Sequence, residues 1–70
     1  MLRKPVNSSN IESVGYDREQ NVLEIAFKGG GIYQYFNVSE AIYDELMAAE
    51  SHGKYFHANI KGNYLYEKVM

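Results

Sequence analysis

Cysteine is absent from the seventy-residue chain. That excludes a disulfide framework and a cysteine metal site, two common staples of small folds, and leaves packing or self-association to hold the molecule together. Long apolar runs are absent too. None approaches the roughly 18 residues of a membrane span, and the opening "MLRKPVNSSN" carries charge with no apolar stretch behind it to act as a signal peptide. The expectation is a soluble, cytoplasmic protein. Charge of one sign is also scarce: the net charge is −2 and the isoelectric point about 5.6, so no global basic field advertises a nucleic-acid partner. What is present is apolar. A hydrophobic fraction of 46% against 23% charged residues argues for a folded chain. A chain of this length buries only about 60% of the surface its unfolded form exposes, so every large apolar group is needed for the core.

Residues 1–8 mix charge, Pro5 and small polar groups without periodicity and read as a flexible lead-in to a single domain over residues 9–70. "NIESVGY" suits a first strand, with Gly15 marking a bulge or bend, and "DREQN" is a connector of hairpin size. "VLEIAFK" alternates Leu23, Ile25 and Phe27 against Glu24, Ala26 and Lys28, the period of a strand with one buried face. Gly29, Gly30 and Gly31 then supply a tight turn into "IYQYF". A strand, not a helix, follows these glycines, which argues against a phosphate cradle.

Ser39 is placed to cap a helix near 39–51, with Val38 and Tyr43 at the positions of a hydrophobic staple and Ile42, Leu46 and Ala49 forming its apolar stripe. Gly53 is the expected C-terminal cap. Ser51 can cap a second, short helix near 54–61 that carries Phe56 and Ile60 on one face, and Gly62-Asn63 stops it. For residues 64–69 a terminal strand and an extended tail are both open. The fold class is therefore α+β: a three-stranded antiparallel meander over residues 9–37 followed by two helices, with Leu23, Ile25, Phe27, Leu46, Phe56 and Ile60 buried together.

Whether Tyr33 and Tyr35 are core or surface depends on the glycine turn. A two-residue turn at Gly29-Gly30 sets them opposite the apolar face of the preceding strand. A loop of all three glycines pairs Phe27 with Tyr33 and Ile25 with Tyr35 and turns both rings inward. Scarcity of core material favours the second arrangement.

The series "SSNI", "VGYD", "LEIAF", "YQYF", "IYDEL", "SHGKYF" and "NI", from about Ser9 to Tyr66, resembles the KTSC domain, a family named for the C-terminal extension of some lysyl-tRNA synthetases and also found as small free-standing proteins of bacteria and phages. Tyr33 and Tyr35 match its central Tyr-x-Tyr pair, and Ser51, Gly53, Lys54, Tyr55 and Phe56 match its Ser-x-Gly-Lys-Tyr/Phe-Phe segment. Ser39 stands where the family usually has proline. Both residues suit a helix start. The resemblance implies the α+β fold and, through the synthetase fusion, a link to RNA. An isolated domain lacks the synthetase's catalytic body, so it implies no aminoacylation.

The residues themselves point away from catalysis. No nucleophile–base pair or paired carboxylates are recognisable, and His52 and His57, five apart, do not share a helical face as metal ligands would. No cofactor is expected. Glu40, Asp44, Glu45 and Glu50 make residues 40–50 acidic, whereas residues 51–70 carry Lys54, Lys61 and Lys68 against Glu67 alone. In that basic tail lysines interleave with Tyr55, Tyr64 and Tyr66. The expectation is a non-catalytic binding domain in which Lys54, Lys61 and Lys68 meet phosphates and Tyr55, Tyr64, Tyr33 or Tyr35 stack on bases of tRNA or single-stranded RNA. The alternative is docking to a protein or to a second copy through exposed aromatic rings.

Overall fold

The computed structural model describes residues 1–70. Its elements in chain order are β1 (Arg3–Pro5), β2 (Ile11–Asp17), β3 (Val22–Phe27), β4 (Ile32–Tyr35), α1 (Glu40–Ala48), α2 (His52–Asn59) and β5 (Tyr66–Lys68). The strands form one antiparallel sheet in the order β1-β2-β3-β4-β5. The expected meander is its centre, and a short strand has been added at each edge.

The β2–β3 turn is held by Asp17, whose carboxylate accepts from the amides of Glu19 and Gln20 at 2.9 and 3.2 Å, and by Asn21 at a φ of 58°. The β3–β4 turn takes neither register expected of the glycines. Ala26 pairs with Ile32, Ile25 with Tyr33 and Leu23 with Tyr35, so the loop is Lys28–Gly30 and Gly31 lies opposite Phe27. The Phe27 amide donates to the Gly31 carbonyl at 3.1 Å, and Gly30 and Gly31 have φ of 111° and 95°. This register is two residues from the three-glycine loop. A shift of two preserves the face, so both tyrosines lie with Leu23 and Ile25.

The structure places β1 within the stretch read as a flexible lead-in, pairing Arg3 with Gly15, Lys4 with Val14 and Pro5 with Ser13. Gly15 is not a bulge; the irregularity in β2 lies between Ile11 and Ser13. A Cβ on Gly15 would stand 2.8 Å from the Leu2 carbonyl oxygen, so the glycine admits the incoming chain. Across the sheet β5 pairs Tyr66 with Tyr35 and Lys68 with Tyr33, which settles the open tail as a strand.

Ser39 caps α1, accepting from the Ile42 amide at 3.4 Å, and Ser51 caps α2, accepting from the Lys54 amide at 3.2 Å. Gly53 is not the C-terminal cap of α1 but the second residue of α2. The work expected of it falls to Ala49, which turns extended, and to His52, whose Nδ1 lies 2.8 Å from the Leu46 carbonyl. A Cβ on Gly53 would stand 2.7 Å from the Asn10 side-chain oxygen, so a close approach explains the glycine.

The core lies between the sheet and the two helices: Ile11, Val14, Leu23, Ile25, Tyr35, Val38, Leu46, Phe56 and Ile60. Five of the six residues expected to be buried together are there, and the sixth, Phe27, is half-buried beside them. The face of the sheet away from the helices is not bare. Ser13, Glu24 and Ala26 are buried on it, and Arg3 of β1 reaches the Glu24 carboxylate at 2.6 Å and the Ser13 hydroxyl at 3.0 Å. Gln34 donates to the other Glu24 oxygen at 2.9 Å. Burial alone would raise the Glu24 pKa; the bonds from Gln34 and Arg3 outweigh it and hold the carboxyl below its ordinary 4.5.

Candidate functional site

Side chains of alternate residues share one face of a strand, so the pairing of β3, β4 and β5 dictates which rings meet. Phe27, Tyr33, Tyr35 and Tyr66 all fall on the helix side, and Phe56 of α2 comes down on them. Phe27 stands edge-on to Tyr33 and to Phe56, with ring centres 5.6 and 5.4 Å apart, and Tyr35 stands edge-on to Phe56 at 5.5 Å. Tyr66 closes the series, tilted 33° against Tyr35 at 5.7 Å and 49° against Tyr33 at 6.0 Å. Such offset geometry is what aromatic quadrupoles favour.

These five rings do not fill the space between the edge of the sheet and the end of α2. They line a groove of about 450 Å³, completed by Gly30 at the hairpin tip and by Lys61 and Gly62 just past α2. Gly62 has a φ of 84°, the left-handed turn that stops α2 after the amides of Ile60 and Lys61 have both bonded the Phe56 carbonyl at 2.9 Å. Lys68 lies directly across from Tyr33, and a Cβ on Gly31 would come within 3.1 Å of the Tyr33 ring and 3.4 Å of the Lys68 side chain. The glycine leaves room for both. No carboxylate is among the lining residues.

The burial gradient runs from floor to rim. Tyr35 is 6% exposed, and burial, followed by the neighbouring Tyr33 and Tyr66, pushes its phenol up to about 12. Tyr33 is half-buried, and Tyr66 is 60% exposed.

Of the seven residues proposed from sequence, Tyr33, Tyr35 and Lys61 line the groove and Lys68 adjoins it. Lys54, Tyr55 and Tyr64 do not line it. Lys54 is exposed in the first turn of α2, and Tyr55 is turned toward α1, its hydroxyl donating to the Glu45 carboxylate at 2.8 Å. Burial, then that bond, pushes the Tyr55 phenol up to about 12. Phe27, Phe56 and Tyr66 were missed as groove residues. The first two read as core by periodicity, and the place of Tyr66 depends on a pairing with β4 that its own three-residue strand does not announce. No group of three or more His, Cys, Asp or Glu side chains is disposed to hold a metal, and no helix is long and apolar enough to cross a membrane.

A five-stranded antiparallel sheet with two helices on one face and a tyrosine pair at the junction is the architecture of a known class of small domain. The KTSC domain model matches residues 7–64, and the chain belongs to the KTSC domain family. It is similar to the crystal structure of a KTSC domain protein from Yersinia pestis, with 43% sequence identity and a TM-score of 0.97 over 99% of this chain and 97% of that one. It is 39% identical over 61 residues to a protein of Tsukamurella paurometabola, covering 87% of this chain and 91% of that protein. It is also 40% identical over 68 residues to a lysine–tRNA ligase of Nostoc sp., covering 97% of this chain but 12% of the ligase. This is thus a small domain of the KTSC family, of a kind that also makes up about 12% of the length of some lysine–tRNA ligases.

Proposed function

We propose that the domain binds RNA weakly, in the single-stranded or unpaired segments of molecules such as tRNA, with Lys61 and Lys68 on phosphates beside the aromatic groove. The observation that carries this reading is the coincidence of five aromatic rings and two lysines around one carboxylate-free depression. Rings offer a stacking surface to any base and lysines neutralise the backbone, the pairing of features that single-strand binders use. The attachment of similar domains to ligases that act on tRNA adds a second, independent support. Lys54, Tyr55 and Tyr64 are dispensable in this reading, because they lie outside the groove.

Two phosphate contacts predict that the logarithm of affinity falls with the logarithm of salt at a slope of about −1.4, from roughly −0.7 per phosphate on single strands. Titration of labelled tRNA and single-stranded RNA at several salt concentrations tests it. A Lys61→Ala/Lys68→Ala variant should lose most of the salt-sensitive affinity, whereas Lys4→Ala and Lys54→Ala should retain it. Failure of the parent to bind at low salt, or equal binding by parent and double variant, overturns the reading. In that event the exposed apolar groups around β5, Leu65 at 83% and Met70 at 79%, favour docking to a protein or to a second copy. Sedimentation of the parent at rising concentration would then show self-association.

A further inference from the structure

We propose that the aromatic groove receives a single unpaired RNA base, inserted between the hairpin tip and the end of α2 and stacked on Tyr66. This deepens the RNA reading and rests on it. The volume, about 450 Å³, falls at the lower end of the range of small-molecule pockets, room for one nucleoside and not for a run of stacked bases. The floor, Tyr35 and Phe56, is already packed against the core and cannot serve as an exposed platform. Tyr66 can. It is the most exposed ring of the set, and it lies within 6.0 Å of both Tyr33 and Tyr35, so a base laid on it is flanked by their rings.

Hydrogen-bonding capacity points the same way. The hydroxyls of Tyr16 and Tyr55 are satisfied inside the protein, by Val38 and Glu45. Those of Tyr33, Tyr35 and Tyr66 engage no protein group, yet no buried side-chain oxygen in the molecule lacks a partner. The Tyr35 hydroxyl, on a residue otherwise buried, therefore opens into the groove. A phenol both donates and accepts, and so can answer the mixed edge of a base. An aromatic cage alone would equally suit a quaternary ammonium group, but Lys61 on the rim and Lys68 beside Tyr33 oppose a cation and favour a ligand bearing phosphate. Gly30 and Gly62, at φ of 111° and 84° with nothing within 4 Å of a would-be Cβ, leave the rim open for a backbone to pass on either side.

The test is an oligouridine strand carrying one 2-aminopurine, whose fluorescence is quenched on stacking. Binding of the parent should quench it. Tyr66→Ala should abolish the quench and weaken affinity about 5- to 150-fold, the range that loss of one stacked base implies. Tyr66→Phe, which keeps the ring, should behave like the parent. Because Tyr66 is exposed on an edge strand, its replacement leaves the core intact, and circular dichroism of each variant verifies this. Salt-sensitive binding by the parent without quenching, or undiminished affinity in Tyr66→Ala, overturns the base pocket and leaves the RNA reading standing. Absence of binding by the parent overturns both.

Discussion

Burial makes both Tyr35 and Tyr55 resist ionisation, each with a second cause of its own, and the effect is testable. Beyond burial, Tyr35 has the phenols of Tyr33 and Tyr66 as neighbours, whereas Tyr55 donates to the Glu45 carboxylate. Both phenols are pushed up to about 12 from the ordinary 10.0. In the unfolded chain they ionise first, so their contribution to stability is complete below pH 10 and is lost as pH rises from there toward about 12. A phenolate absorbance titration should show Tyr35 and Tyr55 still protonated well above pH 10 for as long as the fold survives. Tyr35→Phe keeps the ring and removes the proton, so its melting temperature should fall less than the parent's between pH 10 and 12. Parallel decline of the two would mean that Tyr35 does not carry the effect.

At the scale of the element, β1 depends on a missing side chain. A Cβ on residue 15 would stand 2.8 Å from the Leu2 carbonyl oxygen, closer than van der Waals contact, and a backbone oxygen cannot swing aside as a side-chain tip can. Gly15→Ala should therefore dislodge β1 at a cost of about 1–3 kcal/mol, seen as a lower urea midpoint. The same displacement breaks the Arg3–Glu24 pair, so adding Arg3→Ala to Gly15→Ala should cost less than the two changes measured singly. Full additivity would show that β1 stays docked. The central strands were legible because they alternate: Leu23, Ile25 and Phe27 declare a face, and the serines declare where helices begin. The edges were not. "RKP" and "YEK" are three-residue strands of wholly exposed residues, whose place is decided by partners rather than by a pattern of their own. Gly15 and Gly53 misled for a related reason, since each answers to a segment distant in sequence. The same holds for the groove. Tyr33, Tyr35 and Lys61 could be named from composition and charge, but the ring that completes it, Tyr66, is brought there by a strand pairing.

For the whole molecule the decisive contacts are those between the sheet and the helices. Phe56 touches Phe27 and Tyr35 from the helix side and is 5% exposed. Phe56→Ala should cost about 3–5 kcal/mol, comparable to the total stability of so small a core, and should leave the chain largely unfolded at room temperature. Phe27→Ala should cost less, because that ring is only half-buried; urea denaturation of the two variants gives the order, and equal midpoints would refute it. The sheet order has a further consequence, for tethering. β1 and β5 occupy opposite edges, so four strand spacings of about 4.8 Å set them about 19 Å apart. A host loop that accepted this domain as an insertion would have to bridge that gap, whereas fusion at a chain terminus needs one linker and imposes no closure. Leading in through β1 leaves the groove at the β5 edge facing away from the joint, so a carrier protein joined on that side could hold the domain like a hand at the end of an arm, its palm turned outward.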